Sequence, residues 1–196
     1  MTVSNDGTNA TSDDNGTVIE VLITHDQLVG DAPTEPGSTQ AMVATVVADG
    51  RARTIVRAST GDVRMIELWV AGPMTVAHAV NGEPDQPSPT GLATDGAGAS
   101  MVLDLLTIHA DSSVAASAAG SVSGSVRDLL DRATDANGDV DELLVLSDTS
   151  TAPNARVAAA VCGGTLYWGR GSGDDEIRLE PGNPASLVAA FIELLA

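Results

Sequence analysis

One succession of elements occurs twice in this chain, and it constrains the fold more than any motif does. Residues 63–71, "VRMIELWVA", alternate apolar and polar side chains and read as a strand. A Gly-Pro turn leads into a second strand, "MTVAHAV" (74–80), and a short extended piece follows near Leu92. A helix from about Ala99 to Ile108 then ends on Asp104-Leu105-Leu106. The second half repeats this order: strand "ARVAAAVC" (155–162), a Gly turn, strand "TLYWGR" (165–170), strand "EIRLE" (176–180), a Pro-Gly-Asn-Pro break and a helix ending Glu193-Leu194-Leu195. Laid on each other without a gap, 63–78 and 155–170 set Arg64 on Arg156, Gly72 on Gly164, Met74 on Leu166 and Val76 on Trp168. Such halves predict an α+β fold: an antiparallel β-sheet built from two similar βββα halves, with helices packed on one face.

The segments around the two copies complete the expected organisation. Residues 1–16 are polar and rich in Gly, Asn and Asp, which predicts a disordered tail. The first α/β half then covers 17–109, an Ala/Ser/Gly-rich linker 110–124, and the second half 125–196, as one globular domain. Within the first half, Thr17–Ile23 is a β-branched strand, and Thr24 with Gln27 opens a short helix as a capping box. "AMVATVVADGRARTIVRAS" (41–59) reads as a hairpin turning at Asp49-Gly50. Within the second, Ser125 with Asp128 caps a helix over "VRDLLDRAT", and Asp139 with Glu142 opens another over "VDELLVLS".

Composition narrows function by exclusion. The net charge is −18, and all nine cations are arginine. A chain so acidic repels nucleic acid and anionic membrane, because binding either requires cations that neutralise phosphate. Without lysine there is no Walker A loop, Schiff base or pyridoxal-phosphate anchor. Cys162, the single cysteine, makes an intrachain disulfide impossible. The first residues show neither a basic start nor an apolar run, and no stretch approaches the ~20 apolar residues of a membrane span. These features predict a soluble, cytoplasmic protein.

The residue types that carry chemistry do not gather into a motif. "TDANGDVDE" (134–142) alternates Asp and Asn around Gly138 as a calcium loop does, but the first and twelfth positions would be Ala133 and Leu144. A solvated turn and helix cap is the better reading. His25, His78 and His109 each lack a second His or Cys at ligand spacing. Cys162 closes an Ala-rich strand as a small apolar residue, and "GSVSG" (120–124) has Val122 where a nucleophile elbow needs serine. "GAGAS" (96–100) opens a helix with no cation nearby to help hold an anion, and "GDDEIRLE" (173–180) reads as a solvated charge run. No catalytic, cofactor-binding or metal-binding residue is expected, and the residues that bind a partner are unknown from sequence.

Several segments together resemble the EspG-type cytosolic chaperones of type VII (ESX) secretion. "IEVLITHDQ" looks like that family's opening strand and Thr-led helix start. "RMIELWVAGPMTVAHAV" sits where the family has its first-half strand pair, and "VRDLLDRATDANGDVDELL" where a helical insert separates the halves. The closing "TLYWGRGSGDDEIRLEPGNPASLVAAFIELL" resembles the family's terminal strand pair, Pro-Gly break and Ala/Leu helix. The chain has "CGGT" where the family commonly has an Asp…Gly-Arg turn. The resemblance implies a non-catalytic module that binds a small helical secreted protein of the PE/PPE or WXG kind. It would cover that substrate's apolar tip before export. Two other readings fit the residues: an acidic, salt-adapted structural or interaction protein without a secretion role, and an enzyme or small-ligand binder whose site is assembled from scattered residues such as Ser100, His78 or His109.

Overall fold

The computed structural model describes residues 9–13, 16–29, 35–80, 83, 85–94, 97–111, 120–173 and 175–196. Among these residues, eleven strands and five helices run in the order β1 (Asn9–Asp13), β2 (Gly16–Ile23), α1 (His25–Val29), α2 (Thr39–Asp49), β3 (Arg51–Ser59), β4 (Asp62–Ala71), β5 (Met74–Val80), β6 (Ser88–Ala93), α3 (Ala97–Leu105), β7 (Val122–Gly124), α4 (Val126–Thr134), β8 (Glu142–Asp148), β9 (Ala155–Cys162), β10 (Thr165–Ser172), β11 (Ile177–Pro181) and α5 (Pro184–Leu195). The fold is α+β and antiparallel, with two similar βββα halves: β4-β5-β6-α3 and β9-β10-β11-α5. The chain divides into two compact units. The first holds residues up to Ala52 together with 66–105, and the second holds 53–65 together with 106–196.

In the first unit the strand order is β1-β2-β6-β5-β4. Val21, Ile23, Trp69, Val76 and Leu92 form one apolar layer, and Leu28 of α1 with Val43 and Val46 of α2 covers it. The other face carries α3, where Gly98 lies against Thr75 and Met101 reaches Gly91. Residues 9–13 form β1 and pair with β2, inside a segment whose composition predicts disorder. The remainder of that tail, 1–8 and 14–15, lies outside the described residues, as does 112–119 of the expected linker. The linker's end, Val122–Gly124, is the strand β7.

Residues 39–49 correct the expected hairpin: they are the helix α2, and Asp49-Gly50 is its end rather than a turn between strands. Three valines and two threonines favour a strand locally. Tertiary context wins, because Ser38 Oγ accepts the Ala41 N–H at 3.2 Å as an N-cap, and Val43 and Val46, three apart, share the buried face. Gly50 has a φ of −82°, so no left-handed turn is made there. Its value is space, since a Cβ would stand 2.5 Å from the Val46 carbonyl oxygen and 3.1 Å from Trp69 Cβ.

In the second unit the order is β3-β8-β9-β10-β11-β7. Leu143, Val145, Ala158, Ala160, Ile177 and Leu179 face Leu129 and Ala133 of α4. The alternate residues, Leu144, Leu146, Val157 and Ala159, point the other way, where α5 packs on β8 and β9. Each unit therefore carries its repeat helix, α3 or α5, on one face and a second helix, α2 or α4, on the other, where helices on a single face were expected. The expected helix over "VDELLVLS" is instead the strand β8. An apolar run of four is compatible with a buried helix or a buried strand by periodicity alone. Here Leu143–Leu146 lie between β3 and β9 with both faces covered, so the run is a central strand.

The two halves also correspond one residue differently from the gap-free superposition. Both hairpins turn on two residues, Gly72-Pro73 and Gly163-Gly164, so Gly72 matches Gly163 rather than Gly164. Their φ values are 57° and 55°, a region where glycine is favoured. The cores agree: Trp69, Ala71 and Val76 lie in the layer under α2, and Ala160, Cys162 and Tyr167 in the layer beside α4. A one-residue slip would have exchanged the faces of every strand.

Candidate interaction surface

Helix α5 holds the strongest functional feature of the second unit. Asn183 Oδ1 accepts the Ser186 N–H at 2.9 Å, and Pro184 sits in the first turn, where its missing N–H costs nothing. Leu187, Ala190 and Phe191 are buried against the sheet. At the other end the buried Arg53 side chain donates from Nε to the Leu194 carbonyl at 3.0 Å, and its guanidinium lies 3.4 Å from Asp148 Oδ1. Arg53 thus fixes the last turn of α5 to the sheet, and Arg170 pairs with Glu193 beside it.

The face of α5 turned away from the sheet is also apolar. Pro184, Ala185, Val188, Ala189 and Ile192 are exposed, with Val188 at 37 % and Ile192 at 57 %. Spacings of three and four residues put them on one stripe, and twelve residues make it about 18 Å long. A helix apolar all round is ordinarily buried all round. In a chain of net charge −18, this helix has Glu193 as its single charged residue. The equivalent helix of the first unit repeats the feature: Ala97, Gly98 and Val102 are buried, while Leu103, just before Asp104, is 49 % exposed. Ile192 stands just before Glu193 in the same way. Sequence reasoning identified α5 as a helix but not this stripe, because its buried and exposed faces are written in the same residue types.

The residues singled out in the sequence do not converge. His25 and His78 lie together in the first unit, with ring centroids 6.2 Å apart, although sequence spacing gave no reason to pair them. His109 is in the second unit, where its ring nitrogen Nδ1 is 3.5 Å from Glu142 Oε2. Cys162 ends β9, and burial pushes its thiol up to about 11, against a smaller lowering by Arg132. Residues 135–141 form the turn between α4 and β8, in which Asp135 Oδ1 accepts the Asn137 N–H and Asp139 pairs with Arg132. The described residues contain no group of His, Cys, Asp and Glu able to hold a metal ion. Gly98, within "GAGAS", lies so close to β5 that a Cβ there would stand 2.5 Å from Thr75 Oγ1, and Gly96 of the same stretch lies outside the described residues. Ser123 is in the edge strand β7, its carbonyl accepting a hydrogen bond from Arg132.

A cleft of about 370 Å³ in the second unit went unanticipated. Arg57, Ser59, Asp62, Arg64, His109 and Glu142 line it, drawn from segments up to 85 residues apart, beyond the reach of local pattern. Arg57 pairs with Glu142 and Arg64 with Asp62, Glu142 Oε2 accepts the His109 backbone N–H, and Asp141, also in the lining, accepts the Gly163 N–H.

No family model matches the chain, and no curated protein matches its sequence. Among solved structures, the chain is similar to the Mycobacterium tuberculosis type VII secretion system chaperone EspG5, whose structure is in complex with a PE25–PPE41 dimer. The identity is 9 %, the match covers 86 % of this chain and 80 % of that one, and the TM-score is 0.42. A score of this size transfers neither fold nor function. Among the described residues, no helix is long and apolar enough to cross a membrane.

Proposed function

We propose that the chain is a non-catalytic protein-binding module that docks a partner on the outer face of α5, and that its role is that of a cytosolic chaperone for type VII secretion substrates. The observation that carries the binding role is the exposed stripe Val188–Ile192 with its flanking alanines. Covering apolar surface stabilises a complex by roughly 25 cal/mol for each Å² removed from water, and a neutral stripe adds no charge desolvation. The secretion role rests on the sequence resemblance alone. The test is recovery of the tagged chain from its secretion-active host, with co-purified proteins identified by mass spectrometry. A small helical PE/PPE- or WXG-like protein is expected with the native chain, and loss of it with Val188→Ser/Ile192→Ser, which alters nothing buried. Recovery of the native chain alone, or equal recovery of the partner with the variant, overturns the proposal.

The charge of −18 supports a second reading, an interaction protein of a salt-adapted cell without a secretion role. Self-repulsion of that size is screened by salt, so this reading expects folding to require molar salt. A sharp melt and full helicity in dilute buffer exclude it.

A further inference from the structure

The first unit buries a polar cluster that the α5 surface does not use. His78 of β5 is 1 % exposed, and its Nδ1 lies 2.8 Å from Thr90 Oγ1 of β6. Thr90 Oγ1 donates its one hydrogen to the Ser88 carbonyl at 3.3 Å, so toward His78 it accepts. Nδ1 of His78 therefore carries the hydrogen of the neutral ring, and Nε2 is the nitrogen left to take a second proton. His25, the first residue of α1, stands over this site with its ring 6.2 Å from that of His78. Its Nε2 is 3.5 Å from Glu67 Oε2 of β4, an oxygen that is itself buried and has no hydrogen bond.

His25 is the residue through which α1 reaches both the buried Glu67 oxygen and the His78 ring. A proton on His78 places a cation in an apolar layer and facing His25. Burial first, and His25 second, hold the His78 imidazole below the usual histidine range. The surrounding elements add little. β6 offers the uncharged Thr90 and Ser88, and β2 offers Val21 and Ile23 opposite them. α2 has one ionisable residue, Asp49, exposed at its far end, and α1 has Asp26, exposed, beside His25. α3, with Asp104, lies on the other face of the sheet.

We propose that His25, Glu67 and His78 form a proton-operated latch on α1: with His78 neutral, His25 packs against its ring and Glu67 and seats the start of α1 on the sheet, and a proton on His78 releases it. The depressed His78 gives the sign. The neutral-His78 arrangement keeps its full stability above the ordinary histidine range and loses it as pH falls from about 6.5 toward the folded value. Release is therefore an acid transition confined to α1, not a collapse of the unit. Because α1 packs on α2 and supplies Leu28 to the core, its release also bares Val43 and Val46.

The experiment is hydrogen exchange of the α1 amides between pH 8 and pH 4, expressed as protection factors, with imidazole signals followed by NMR on the same samples. Protection of 25–29 is expected to fall about tenfold per pH unit below about 6.5 while that of β5 and β6 stays constant. His78→Asn keeps a donor toward Thr90 without a titrating group, and its α1 is expected to stay protected in acid. His25→Gln is expected to move the His78 titration to higher pH. Acid release unchanged in His78→Asn, a His78 titration unmoved in His25→Gln, or loss of α1 together with β5 and β6 overturns the latch. If His78→Asn does not fold, the NMR titration of the native chain decides: release that does not track the His78 signal overturns it as well.

Discussion

Replacing Arg53 by methionine tests how α5 is held and how much one buried cation is worth. Arg53 is 2 % exposed and lies across the β3–β8 ladder from Asp148, which is also buried. Methionine fills most of the arginine stem and removes the charge. Two effects follow. The Leu194 carbonyl, in the last turn of α5, loses the hydrogen bond from Arg53 Nε, worth about 1 kcal/mol. Asp148 is left as a buried carboxylate facing a thioether, and breaking a buried pair from one side costs about 3–5 kcal/mol. Asp148 Oδ1 also accepts the Ser150 backbone N–H at 2.8 Å, which moderates that cost. We expect a loss near the lower end, about 3 kcal/mol, or roughly 6–12 °C in Tm for a chain of this size. Urea titration is the right assay, because guanidinium is itself a salt and would screen the −18 charge. The second variant separates charge from shape: Arg53→Met with Asp148→Asn keeps an acceptor for Ser150 but removes the buried carboxylate charge. It should regain more than half of the loss. A single-variant loss below about 1 kcal/mol, the level of an exposed ion pair, refutes the argument. So does a double variant no more stable than the single one.

Two further expectations concern packing and reactivity. Alanine at Gly98 normally favours a helix, yet here its Cβ would stand 2.5 Å from Thr75 Oγ1. Gly98→Ala should therefore destabilise the first unit by about 1–2 kcal/mol in thermal melts, and Thr75→Ala should reverse the sign; stabilisation by Gly98→Ala alone contradicts this packing. Cys162, with its thiol pushed up to about 11, is almost entirely protonated at neutral pH. Iodoacetamide should label it slowly in the native chain at pH 7.5 and rapidly in urea, and equal rates in the two states refute its burial.

The capping boxes show where local reading succeeded. Thr24 exchanges hydrogen bonds with Gln27, and Ser125 with Asp128, as their spacing predicts. Residues 41–49 and 140–147 show where it failed. Both are apolar runs rich in branched side chains, and the helix at one and the strand at the other depend on what covers them. Gly72 and Gly163 illustrate a subtler limit. Counting without gaps placed Gly72 on Gly164, and only the two-residue turns set the register that decides which side of each strand is inward.

The sequence by itself determined the α+β class, the twofold succession of strands and helix, the caps, and the loss of lysine chemistry. These depend on residues near one another in the chain or on composition. The tertiary structure alone decided which apolar residues of α5 stay in water, that His25 and Glu67 meet over His78, and that Arg53 reaches the end of α5. Each joins positions far apart along the chain, and neither periodicity nor charge count records such distances.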